Sequence, residues 1–93
     1  MADPTLADFS GAVGQTYEVE AEGQGFSLEL IAVERLAHSQ REDGGFRLEF
    51  RGPPNPILPQ AIYPFRRDGD VYEIFIVAIG RERDGARYEA VFF

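Results

Sequence analysis

Few residues in this chain could carry chemistry. The only histidine, His38, lies in "LAHSQREDGG" next to Ser39 and shortly before Asp43. A nucleophile and its base must be oriented in space, and neighbours on one loop rarely orient each other. His38 therefore reads as a solvated loop residue. With one histidine and no cysteine, a metal would have to be held by carboxylates. Glu18, Glu20 and Glu22 sit two apart, which sends three carboxylates to one strand face about 7 Å apart. Calcium needs about six to eight oxygens converging on one point, so this row reads as a solvated or salt-bridged surface. Gly23-Gln24-Gly25 lacks the further glycine and lysine of a phosphate-cradling loop, and no long helix follows it. No catalytic residue, metal or cofactor is expected, and the chain is expected not to be an enzyme.

Composition narrows the remaining classes. A chain of 93 residues, 44% hydrophobic and 27% charged, reads as one globular domain spanning 1–93. Without cysteine there are no disulfide staples, so stability has to come from packing. The net charge is −7, and residues 1–34 hold seven acids and no base. An acidic balance repels phosphate backbones and anionic lipid, so neither nucleic acid nor membrane is an expected partner. No apolar run is long enough to span a bilayer, and "MADPTLADFSG" lacks the cationic start and apolar core of a secretory leader. The expected location is cytoplasmic.

The elements that would position these residues are mostly strands. "PTLADFSGAVG" reads as a short helix, with Thr5 and Asp8 spaced as a capping box and Leu6, Phe9 and Val13 on one side. "QTYEVEAE" alternates, with Tyr17, Val19 and Ala21 on one face and glutamates on the other. "FSLELIAVERL" begins with the same period and then breaks it, which places a bulge near Leu30 to Ala32. "FRLEFRG" puts Phe46, Leu48 and Phe50 inward and Arg47, Glu49 and Arg51 outward, where the arginines can pair with acidic rows. Asp-Gly at 43–44, 68–69 and 84–85, together with Gly-Gln-Gly at 23–25, supplies the positive φ of tight hairpin turns.

"GPPNPILPQ" has too many prolines for a strand and reads as a rigid crossing loop, although Pro56-Ile57-Leu58-Pro59 formally matches a polyproline ligand. "AIYPF" is a strand that Pro64 confines to an edge or a bulge, leaving a candidate open edge at 61–66. "VYEIFIVAI" is apolar on both faces, as a central strand would be. "RYEAVFF" alternates Tyr88, Ala90 and Phe92 against Glu89, Val91 and Phe93. The fold class expected is mainly β: a small antiparallel barrel or compact sandwich of about six strands with a short N-terminal helix.

"LADFSGAVGQTYEV", "FRLEFRGPPNPILPQAIYPF" and "GDVYEIFIVAIGRERDGARYEAVFF" together resemble a bacterial family of small single-domain proteins of unknown function that end in Tyr-Glu-Ala-Val-Phe. The resemblance covers nearly the whole chain. It implies no catalytic residues, and it implies an association with phage-tail-like or adhesive surface assemblies.

The function expected is a structural or protein-interaction module. Its partner would be another protein, with self-association as one form. The candidate interface residues are Tyr63 and Phe65 on the edge strand and Val91 and Phe93 at the terminus, with Tyr72 or Ile74 completing an apolar patch. The alternative is a small-ligand-binding barrel whose cavity would be lined by Tyr17, Tyr63, Tyr72 and Tyr88. About six strands leave little interior room for that.

Overall fold

Alternating apolar residues and tight turns fold this chain into a closed ring of strands. The computed structural model describes residues 4–36 and 45–92. A helix of one turn, α1 (Leu6–Phe9), precedes β1 (Thr16–Ala21), β2 (Gln24–Leu36), β3 (Gly45–Gly52), β4 (Ala61–Arg67), β5 (Asp70–Glu82) and β6 (Gly85–Phe92). The six strands pair antiparallel in the order β1-β2-β3-β6-β5-β4 and close as a barrel.

Two long strands make the closure possible. β2 pairs through residues 24–29 with β1 and through 29–36 with β3, with a bulge between Leu30 and Ala32 where the sequence places one. β5 pairs through 70–76 with β4 and through 77–82 with β6. Each therefore serves two sides of the ring and turns a corner between them. β1 and β4 close the last gap through only two residue pairs, Glu18 with Arg66 and Val19 with Phe65. In that register the next position on β4 is Pro64, which has no N–H to donate, so the ladder stops there.

The expected open edge at 61–66 is thus corrected. β4 is paired to β5 along its whole length and to β1 at Phe65 and Arg66, and residues 61–64 and Arg67 lack a ladder partner on the β1 side. The turns follow the sequence closely. Asp68 and Gly69 both have positive φ, and so do Glu22 and Gly23, so the first hairpin turns one step earlier than the Gly-Gln-Gly spacing suggests.

The interior is filled by side chains. Tyr17, Phe46, Phe50, Phe65, Ile74 and Ile76 are among the fully buried residues, and each large apolar side chain contributes about 1.5–3 kcal/mol by leaving water. Phe9 of α1 closes one end of the barrel, with its ring 5.1 Å from Tyr72 and 6.2 Å from both Tyr17 and Phe46. The Thr5 N–H donates to Asp8 Oδ2 at 2.8 Å, the capping contact the spacing predicts. The helix is shorter than expected, and Val13 lies beyond it, 53% exposed. The proline loop closes the other end through buried Leu58. The Leu58 N–H donates to the Tyr88 hydroxyl at 2.9 Å, and the Tyr63 hydroxyl donates to the Pro59 carbonyl at 2.6 Å.

Candidate interaction surface

The described barrel interior is filled by side chains, and the outer surface is where polar and apolar groups meet solvent. That surface divides into two contrasting faces. On the side made by β2, β3 and β6, outward arginines and carboxylates pair with one another. Arg47 sits at the centre and donates to Glu34, Glu49 and Glu89, each at 2.9 Å. Arg51 pairs with Glu29 and Asp84, and Arg87 with Glu49 and Glu82. Its hydrogen bond to Glu49 holds the Arg47 guanidinium above its ordinary pKa despite partial burial. The register explains the network, since Arg47 lies opposite Glu34 on one neighbouring strand and opposite Val91 on the other, one step from Glu89.

On the side made by β4 and the first half of β5, the outward residues are mostly apolar. Ile62 and Phe75 lie directly opposite each other, and they are 64% and 48% exposed. Cross-strand partners of this kind place their Cβ atoms about 4.5–5.5 Å apart, close enough to form one apolar surface. Pro64 faces Glu73 in the next pair along, and Arg66 faces Val71 beyond it. Two further exposed apolar residues lie away from this pair, Ile79 at the β5 bulge and Val91 on β6 opposite Arg47.

The clefts are shallow and lie outside the barrel. One of about 560 Å³ lies beside the Asp68-Gly69 turn, lined by Thr16, Glu18, Arg66 and Asp70 among others. A smaller one of about 170 Å³ lies between the proline loop and the β1–β2 hairpin. Among the described residues, no cluster of three or more histidines, cysteines, aspartates or glutamates is arranged to hold a metal ion.

The tyrosines proposed as cavity lining point inward. The hydroxyls of Tyr63 and Tyr88 tie down the proline loop. The Tyr17 hydroxyl is buried without a hydrogen-bond partner among the described residues, with the Arg67 guanidinium 5.9 Å from its ring centroid. Burial pushes the Tyr17 phenol above its ordinary pKa, against the opposing pull of Arg67.

The sequence-predicted interface residues separate in space. Tyr63 and Phe65 are buried, the second completely, and point into the barrel, so neither offers its side chain to a partner. Alternation explains this: on β4 the odd-numbered residues face the core, and their even-numbered neighbours Ile62, Pro64 and Arg66 face out. Val91 is 49% exposed. Phe93 lies outside the described residues, as do His38, Ser39 and the Asp43-Gly44 turn. Ile74 is fully buried and Tyr72 packs against the core, so neither joins an outer patch.

Sequence reasoning missed Ile62 and Phe75. The signal was present, because Arg67 and Asp70 flank a two-residue turn, and that turn fixes the register that puts 62 opposite 75.

Across residues 4–92 the chain matches the family described as Domain of unknown function (DUF6916), and it belongs to that family. No curated protein and no solved structure matches it. No helix among the described residues is long and apolar enough to cross a membrane.

Proposed function

We propose that this domain is a non-enzymatic protein-interaction module that docks through the outer face of β4 and β5. The observation carrying this reading is the exposed cross-strand pair Ile62 and Phe75. A partner covering the pair removes apolar area from water at about 25 cal/mol per Å². An aromatic side chain at the centre of a contact is the commonest kind of anchor. Residues 61–64 offer backbone groups outside the β1 ladder. The partner class put forward is a subunit of a phage-tail-like or surface assembly, as the sequence resemblance implies.

The test is affinity capture from a lysate of the source organism, comparing the wild-type chain with an Ile62→Ser, Phe75→Ser double variant of matched thermal stability. A protein recovered by the wild type and lost by the double variant is the expected result. Equal recovery by both would remove the β4–β5 face from the contact.

A further inference from the structure

We infer that the occupant of the β4–β5 face is a second copy of this chain, packed about a two-fold axis. The inference rests on the reading of that face as a docking surface and adds the identity of what covers it.

Charge is the first argument. The outward positions of β4 and the first half of β5 are Ile62, Pro64, Arg66, Val71, Glu73 and Phe75. They hold one cation and one anion, so the face is neutral on a chain whose net charge is −7. Two copies can approach there without setting like charges of these six positions against each other, the acidic row of β1 lying to one side. Arg66 and Glu73 form no ion pair among the described residues, whereas Arg47, Arg51 and Arg87 on the other face each bind at least two carboxylates. Arg66 stands opposite Glu18 of β1 without forming an ion pair with it, so Arg66 and Glu73 are both free to turn toward a copy.

Register is the second argument. Ile62 pairs with Phe75, Pro64 with Glu73 and Arg66 with Val71. A two-fold axis parallel to the strands and midway between them lays every β4 residue over the cross-strand mate of its copy. Ile62 then covers the partner's Phe75, and Phe75 covers the partner's Ile62. Arg66 falls one position, about 7 Å, along the strand from the partner's Glu73, within reach of an arginine side chain. Both contacts occur twice, as two-fold symmetry requires.

The test is sedimentation of the full chain over a concentration series at about 0.15 M salt, the ionic strength at which surface charges act over about 8 Å. The wild type is expected to pass from monomer to dimer. Arg66→Glu alone sets two acids against each other at both contacts, and Glu73→Arg alone sets two bases. Each is expected to weaken dimerisation by at least about tenfold. An equimolar mixture of the two variants is expected to recover dimers, because in the mixed pair each reversed charge meets its opposite at both contacts. Both variants are expected to stay folded, since both residues are exposed.

A wild type that stays monomeric, a dimer indifferent to both variants, or a mixture as monomeric as its components would each overturn the inference. A monomeric wild type that still captures another protein through Ile62 and Phe75 would overturn self-association and leave the docking reading standing. A monomeric wild type whose capture ignores both residues would remove both.

Discussion

On one outer face of the barrel Arg47 holds three carboxylates at 2.9 Å, and on another Phe75 stands 48% exposed beside Ile62. Both faces are antiparallel sheet over the same core, so backbone geometry does not account for the difference. What differs is whether the outward residues satisfy one another. Along β3 and β6 acids and bases alternate in register, and the face needs nothing from outside. Along β4 and β5 an apolar pair meets water, a condition that further burial relieves. A sheet can therefore be finished on one side and left open to a partner on the other, with the choice made by the residues at alternate positions.

That contrast can be broken in four ways, taken from the largest effect down. Phe50 lies under both faces, fully buried, with its ring 4.8 Å from Phe65 and 5.8 Å from Tyr17. Phe50→Ala should cost about 3–5 kcal/mol, read as a shift in the denaturant midpoint, and both faces should be lost in one transition.

Alkaline unfolding comes next. Burial raises the Tyr17 phenol, so its neutral form is the one the fold favours. The stability this contributes is fully present below about pH 10, the unfolded value, and is lost as pH rises through the folded value. Hydrogen bonding to Glu49 raises the Arg47 guanidinium above its ordinary value, so the ionic face is not what alkali titrates first. Tyrosine absorbance followed with circular dichroism against pH should show phenolate formation and unfolding together. Unfolding well before any phenolate appears would contradict this.

Arg47→Ala is expected to be milder. Glu49 and Glu89 would lose their shared cation in a partly buried setting, at a cost of about 1–2 kcal/mol. Glu34 is the exposed member of the set, at 60%, and Glu34→Gln should change stability by no more than about 0.5 kcal/mol. A thermal melt of both variants checks the ranking. Ile62→Ser and Phe75→Ser come last in stability, within about 0.5 kcal/mol each, while removing association. A large loss of stability in either would mean that the residues support the fold rather than a contact.

Much of the fold was legible because it is local. Alternation placed Tyr17, Val19 and Ala21 in the core together with Phe46, Leu48 and Phe50, and the break in period after Leu30 marked the bulge. Asp-Gly pairs marked two of the described turns. Closure was not legible, because two residue pairs between β1 and β4 join segments far apart in sequence and leave no local trace. Nor did the apolar run of β5 reveal which of its residues face out. Ile74 and Phe75 are both large and apolar, and only the pairing with β4 sends the first inward and the second to the surface. The same reason hid which residues of β4 face solvent: Tyr63 and Phe65 are the more conspicuous, but they are buried and Ile62 is exposed.

The most direct measurement places a photo-crosslinking amino acid at position Phe75 in one protein and at position Glu34 in another, both sites being exposed. Irradiation in a native lysate or with purified chain should yield crosslinked product from position 75 and little from position 34. Product from position 34 alone, or equally from both, would contradict the assignment of docking to the β4–β5 face.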